Sequence, residues 1–301
     1  MNQKKVSIVG VPMDLGQNRR GVDMGPSAMR YAGVRSRIEK LGHQVEDHGD
    51  LHIDFSEKKS SEKKTNLKNL MEVERVNAML AEKVSHIVEE GSFPLVLGGD
   101  HSIAIGTIAG VSKHYENLGV IWIDAHADLN TEDTSPSGNI HGMPLAASLG
   151  VGNESLTSLF YPKAKVKPEN VVMIGHRDLD QGERELVKAK GIKMYTMHEI
   201  DRMGMTKVIE ESLTYLKGKT DGIHLSLDLD GLDPTDAPGV GTPVIGGISY
   251  REGHLAMEML AETDLIVSAE FVEVNPILDE KNKTAQVAVA LISSLLGDRL
   301  L

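Results

Sequence analysis

Short apolar runs rich in β-branched residues alternate with longer segments of helical patterning along nearly the whole chain. The runs Val6–Val11, Gln44–Glu46, Pro94–Leu97, Val120–Ile123, Val171–Ile174, Lys193–Thr196, Ile223–Leu227 and Ile266–Val274 predict strands. Between them the pattern predicts helices over Pro26–Leu41, Leu67–Glu90, Ile103–Tyr115, Glu183–Lys190, Thr206–Lys217, Tyr250–Ala261 and Thr284–Leu296. The first of these opens on Gly25-Pro26-Ser27, a helix-start signal, since proline costs nothing where the backbone N–H has no partner. Apolar strands alternating with helices imply an α/β fold in three αβα layers, with a mostly parallel sheet covered on both faces. The polar run Ser56–Lys64 reads as a solvated loop. No repeat or composition shift divides the chain, so residues 1–301 are expected to form one domain.

Composition narrows the class. At 40% hydrophobic and 25% charged residues the chain reads as soluble and globular, and no apolar run approaches the roughly 20 residues of a membrane span. The short apolar stretch at the N-terminus stops at Pro12 and Asp14, which suits a first strand better than a signal peptide. Acidic residues outnumber basic ones 44 to 32, for a formal charge of −12, which disfavours a nucleic-acid partner and suits divalent cations or a cationic substrate. There is no cysteine, so any metal must be held by histidine and carboxylate, and a cytoplasmic location fits.

The chemistry gathers in three segments. In Val120-Ile121-Trp122-Ile123-Asp124-Ala125-His126-Ala127-Asp128, strand alternation would point Asp124, His126 and Asp128 the same way. In His224-Leu225-Ser226-Leu227-Asp228-Leu229-Asp230, the two aspartates share a face and the leucines fill the other. In Leu95-Val96-Leu97-Gly98-Gly99-Asp100-His101, glycines after a buried strand put a histidine at its end. Ligand sites in parallel sheets form beyond the carboxyl ends of strands, where all three segments lie. A single aspartate or histidine there is ordinarily a cap or turn residue. Carboxylates repeated on one face of an apolar strand need a cation, and no lysine or arginine stands beside them in sequence. The expected ligands are His101, Asp124, His126, Asp128, Asp228 and Asp230. Oxygen-rich donors with two imidazoles suit a divalent ion such as Mn²⁺, and six of them suggest two ions sharing a water acidified into a nucleophile.

These three motifs, in this order, resemble the metal signatures of the ureohydrolases, which include arginases, agmatinases and formimidoylglutamases. The similarity runs from Ile8 to the C-terminal helix and is nearest the bacterial-type arginases, through residues 10–16, 19–26 and 273–276. The resemblance implies an eight-stranded parallel sheet and two Mn²⁺ per chain. One ion would be held by His101, Asp124, Asp128 and Asp228, the other by Asp124, His126, Asp228 and Asp230. It implies hydrolysis of L-arginine to L-ornithine and urea by a hydroxide bridging the ions. It also implies a homotrimer or homohexamer, with neither nucleic acid nor membrane as partner.

The segment from Asn130 to Gly142 resembles the loop that grips the amino-acid end of arginine, through Asn130, Ser137 and Asn139. An agmatinase has no use for it, because agmatine lacks the α-carboxylate. By the same resemblance His141 shuttles protons, a task that needs a group titrating near neutrality. Asp180 would meet the α-amino group, while Asp178 and Glu183 fit equally an acid-rich helix start. His126, Thr242 and Glu273 would line the guanidinium pocket, with Glu273 also catalytic. Glu270, on the other strand face from Glu273, reads as support. His224 reads as a buried, hydrogen-bonded histidine; His176, where the family often has apolar residues, is assigned no role; the remaining histidines, including His43, read as surface or helix residues. The alternatives are a ureohydrolase acting on another guanidino compound, a deacetylase of the same general fold, and a non-catalytic arginine or metal sensor. The presence of Asp128, His141 and Glu273 argues against the sensor.

Overall fold

The computed structural model describes residues 3–53 and 65–300; the polar run Ser56–Lys64 lies outside the described residues. The strands are β1 (Lys5–Val11), β2 (Gln44–Asp50), β3 (Phe93–Gly98), β4 (Leu118–Ile123), β5 (Val171–His176), β6 (Lys193–Thr196), β7 (Gly222–Asp228) and β8 (Ile266–Val272). Among the described residues these eight form one sheet in the order β2-β1-β3-β8-β7-β4-β5-β6, and every neighbouring pair is parallel. The helices are α1 (Gly25–Tyr31), α2 (Val34–Lys40), α3 (Leu70–Glu89), α4 (Ala104–Ser112), α5 (Pro144–Ser148), α6 (Glu154–Thr157), α7 (Gln181–Lys190), α8 (Met197–Leu216), α9 (Tyr250–Ala261) and α10 (Lys283–Leu295).

Successive side chains of a strand point to opposite faces, so each central strand feeds two cores. Ile121 and Ile123 of β4, with Leu225 and Leu227 of β7, pack under α1, α2, α8, α9 and α10. Val120 and Trp122 point the other way, into a core closed by α3, α4 and α5. Every residue of β3, β4, β5 and β7 is buried; β3, β4 and β5 accordingly read as nearly continuous apolar runs, whereas β7 alternates leucines with His224, Ser226 and Asp228. Among the described residues no helix is long and apolar enough to cross a membrane.

Several element limits differ from the sequence reading, each for a backbone reason. The helix expected over 26–41 is two helices, because Gly33 turns left-handed at φ 87° between α1 and α2. Helix α8 starts nine residues before the expected Thr206, since Thr196 and Glu199 form a capping box at Met197, and it kinks at Gly204. Strand β8 stops at Val272, because Glu273 is left-handed at φ 65°. His43 is buried rather than superficial: its ring accepts from the Lys4 N–H at 3.0 Å and lies 2.8 Å from the Leu296 carbonyl.

Strand order decides where chemistry can happen. Strands β3, β8, β7 and β4 are consecutive at the middle of the sheet, and their carboxyl ends lead directly into His101, Glu273, Asp228–Asp230 and Asp124–Asp128. Segments far apart in sequence thus meet at one crevice.

Candidate metal centre

Each ligand segment is fastened by its own backbone contacts. Gly99 passes so close to β1 that an added Cβ would lie 1.9 Å from the Met13 carbonyl oxygen, so only glycine fits. Asp100 caps the short turn that carries His101: its carboxylate accepts from the N–H groups of Ser102 at 3.0 Å and Gly16 at 2.8 Å. After β4 ends at Ile123 the chain does not continue as a strand. Asp124, His126 and Asp128 therefore converge through a turn, with Asp128 left-handed at φ 53°, and not by the strand alternation expected. Asp124 Oδ1 accepts from the His126 N–H at 2.7 Å, which folds that turn back on itself. Beyond β7, Asp228 Oδ1 likewise accepts from the Asp230 N–H at 2.7 Å.

The six expected ligands come together. His101 Nδ1 faces Asp124 Oδ2 at 3.2 Å, Asp128 Oδ2 at 3.0 Å and Asp228 Oδ2 at 3.2 Å. His126 Nδ1 faces Asp230 Oδ2 at 3.1 Å and Asp124 Oδ1 at 3.5 Å. Donor atoms of His101, Asp124 and Asp228 lie within 4.8 Å of one another, as do those of Asp124, His126 and Asp230, so both groups can hold a metal ion and both use Asp124. Asp228 falls in the first group only, and Asp128 adjoins it through His101.

The electrostatics fit a cation. Burial and the neighbouring Asp230 and Asp124 push Asp228 well above the usual carboxylate range. Burial and Asp124 push Asp128 up to about 6. Asp124 goes the other way: burial is outweighed by His101 and His126, which hold it well below its ordinary value. Burial of His101 is in turn outweighed by Asp124, Asp128 and Asp228, which raise it well above the ordinary imidazole value. By themselves, then, the carboxylates compete for protons carried by the imidazoles. His101 Nδ1 is buried without a hydrogen-bond partner of good geometry, although three carboxylate oxygens surround it. A divalent cation resolves both conflicts, since it takes neutral imidazole and ionised carboxylate together.

Glu270 supports these ligands and His224 is buried and hydrogen-bonded, as the sequence reading has them; the path through Ser226 that joins them to His101 was missed. His101 Nε2 lies 2.8 Å from Ser226 Oγ, and Ser226 donates to Glu270 Oε1 at 2.8 Å. His224 completes the chain, 2.8 Å from Ser268 Oγ and 3.3 Å from Glu270. A partner on the far ring nitrogen fixes a ligating histidine's tautomer and plane. Period two was the available signal, since His224, Ser226 and Asp228 share a face and Ser226 pairs with Glu270 in register. Trp122 stacks on His101 with ring centroids 4.2 Å apart and donates to Asp124 Oδ2 at 3.1 Å. Arg177 lies near the aspartates, but its guanidinium serves backbone carbonyls, among them Asp230 at 2.7 Å and Val244 at 2.8 Å.

Glu273 and His141 stand beside the ligand cluster. Glu273 Oε1 accepts from the His101 N–H at 3.0 Å and meets His141 Nδ1 at 3.4 Å, while Oε2 accepts from Gln17 at 2.9 Å. Burial alone would favour a neutral His141, but Glu273 outweighs it and lifts the ring to about 8. Thr242 donates to Asp230 Oδ2 at 2.8 Å, which ties it to a ligand rather than leaving it free in a pocket. Asn130 is engaged on both sides, donating to Asp180 at 2.8 Å and accepting from Thr134 at 2.9 Å. Ser137 is exposed, and its Oγ accepts from the Asn139 N–H at 3.2 Å. Glu183 is committed structurally: its buried carboxylate accepts from the N–H groups of Leu129 at 3.0 Å and Asp180 at 2.8 Å, whereas Asp178 is exposed. His176 is fully buried and neither ring nitrogen has a hydrogen-bond partner.

Known proteins match this arrangement over its full extent. The arginase of Bacillus caldovelox is 66% identical over 298 residues, covering 99% of this chain and 100% of its own. The crystal structure of the arginase from Bacillus cereus, 67% identical, superposes with a TM-score of 0.94 over 99% of this chain and all of that one. The arginase of Entamoeba histolytica, solved in complex with L-ornithine, is 37% identical with a TM-score of 0.90, again over 99% of this chain and all of its own. The profile of the arginase family covers residues 4–297, so the metal-ligand motifs and the sheet that carries them fall within one continuous match, and the chain belongs to the arginase family.

Proposed function

We propose that this enzyme hydrolyses the guanidinium group of L-arginine, giving L-ornithine and urea, at a pair of Mn²⁺ ions. The observation that carries the reading is the sharing of Asp124 between two groups of metal-ligating atoms. Charge supports the count: the four aspartates carry four negative charges when ionised, which two divalent ions balance in a buried site where imbalance is costly. His101, Asp124, Asp128 and Asp228 would hold one ion, and Asp124, His126, Asp228 and Asp230 the other. When bound, the ions supply Lewis acidity that makes water nucleophilic near neutral pH.

The chain's own residues bind, orient and move protons. Glu273 faces the guanidinium beside His126 and, kept ionised by His141, favours a cationic group there; Thr242, whose hydroxyl hydrogen goes to Asp230, can offer that group only its oxygen lone pairs. Asn130, Ser137 and Asn139 take the amino-acid end, with Asp180 toward the α-amino group. Departure of the ornithine nitrogen requires a proton. His141 is the acid for that step: Glu273 occupies Nδ1, which leaves Nε2 to deliver the proton, and a value of about 8 keeps the ring charged at neutrality.

The test is urea release from L-arginine and from agmatine, with and without added Mn²⁺ after chelation. Urea is expected from L-arginine, only with the metal, and far more slowly from agmatine. Equal turnover of agmatine, or full activity without metal, would overturn the reading.

A further inference from the structure

A lysine outside every motif of the sequence reading sits against the loop assigned to the amino-acid end of the substrate. The stretch leading into α3 is bound to that loop by its backbone, with the Lys68 N–H donating to the Gly138 carbonyl at 3.0 Å and Asn66 Nδ2 to the Glu132 carbonyl at 2.6 Å. The packing is tight: a Cβ on Gly138 would lie 2.2 Å from the Asn66 carbonyl oxygen. Asn69 Nδ2 donates to the Leu15 carbonyl at 2.8 Å, which ties the same stretch to the loop after β1. From this frame the half-buried Lys68 donates through Nζ to two amide oxygens, Asn139 Oδ1 and Asn18 Oδ1, each at 3.0 Å.

Two consequences follow from donor and acceptor chemistry. An ammonium only donates, so an amide whose oxygen it holds presents its N–H₂ to anything else. Asn139 and Asn18 are therefore both set as donors, the polarity a carboxylate demands. Asn130 differs, because its own oxygen and nitrogen are taken by Thr134 and Asp180. Charge is the second consequence. The chain carries a net charge of −12 and the exposed Asp180 is bonded to Asn130 of the same loop, so an incoming carboxylate meets repulsion unless a fixed cation offsets it. Lys68 is such a cation, held in place by two hydrogen bonds.

We infer that Lys68 determines specificity for the α-carboxylate. Its ammonium fixes the amides of Asn18 and Asn139 as donors and supplies the positive charge that makes the site select guanidino amino acids over guanidino amines. This rests on the reading above that Asn139 meets the amino-acid end of the substrate.

The test uses the full chain loaded with Mn²⁺ and two variants, Lys68→Met and Lys68→Arg. Lys68→Met is expected to raise KM for L-arginine about tenfold or more, the effect of losing one charged hydrogen-bonding group, with kcat changed less than about twofold. Its kcat/KM for agmatine should stay at the wild-type value, and Lys68→Arg should restore most of the affinity for L-arginine. Calorimetric titration separates binding from turnover: L-ornithine should bind Lys68→Met more weakly in the same proportion, and putrescine, which lacks the carboxylate, should bind unchanged. Equal losses for L-ornithine and putrescine would make Lys68 a loop brace and overturn the inference. So would an unchanged KM for L-arginine. Wild-type protein that binds L-ornithine no more tightly than putrescine would instead overturn the underlying reading of the loop. Discrimination present in the wild type and undiminished in Lys68→Met would leave that reading standing and remove Lys68 from it.

Discussion

Asp124→Asn is expected to give a folded protein that retains neither divalent ion and releases no urea above background. The carboxylate serves both groups of ligating atoms, with Oδ2 3.2 Å from His101 Nδ1 and Oδ1 3.5 Å from His126 Nδ1. An asparagine offers one neutral oxygen and turns an N–H₂ toward the other group. Loss of a mere outer partner of a metal ligand costs about 10–100-fold in affinity, and loss of a ligand common to two ions should exceed that range. Asp230→Asn is the control, because Asp230 belongs only to the group with His126, and it should keep one ion per chain. Elemental analysis after dialysis, with circular dichroism to verify folding, separates the two. Two ions retained by Asp124→Asn would disprove the shared ligand.

The second large effect is expected at His141, and it is of a different kind. His141 approaches Glu273 at 3.4 Å and is not among the ligating groups, so His141→Asn should bind metal and L-arginine almost as the wild type does. Turnover should fall by about 10²–10⁴-fold, the usual range for removing a positioned proton donor. The sign of the pH dependence follows from a ring raised to about 8. Below that value the ring is protonated and can act as an acid; above it the acid is lost. Wild-type kcat should therefore fall on an alkaline limb near 8, and His141→Asn should lack that limb. Added imidazole should restore part of the activity. A variant that loses manganese would make His141 a support of the metal site instead.

The sheet was legible because strands such as β3, β4 and β5 are buried on both faces and read as nearly unbroken apolar runs, while β7 alternates leucines with polar residues. The ligands were legible for a related reason. One aspartate at the end of such a run can be a cap, as Asp100 is, but several gathered on one face are costly to bury without a cation. What period-two reasoning could not deliver was the path by which they meet. Strand alternation predicts Asp124, His126 and Asp128 on one face, yet they converge through a turn that needs a left-handed Asp128. Nor does sequence reveal which hydrogen-bonding capacity is already spent. Thr242 and Asn130 read as substrate contacts, but each already gives one hydrogen to a carboxylate, Asp230 and Asp180 respectively. Gly33 shows the same limit at the scale of an element, since one left-handed residue splits a helix whose periodicity runs on. Lys68 gave no signal at all, because nothing in its neighbourhood of sequence says that it will meet residues 18 and 139.

The stacking of Trp122 on His101 makes the protein optically self-reporting. Trp122 is the single tryptophan of the chain, fully buried, its ring nearly parallel to the imidazole at an angle of 8°. Its indole N–H is bonded to Asp124, the carboxylate common to both ligand groups. Indole emission responds to charge at its edge and face, so the entire tryptophan fluorescence of the molecule issues from one point in contact with two of the side chains that could hold a metal ion. An ion held there would change the charge on His101 and the hydrogen bond from the indole together. The spectrum thus offers a continuous, label-free reading of occupancy that requires no substrate, and it is available in any variant that leaves Trp122, His101 and Asp124 in place.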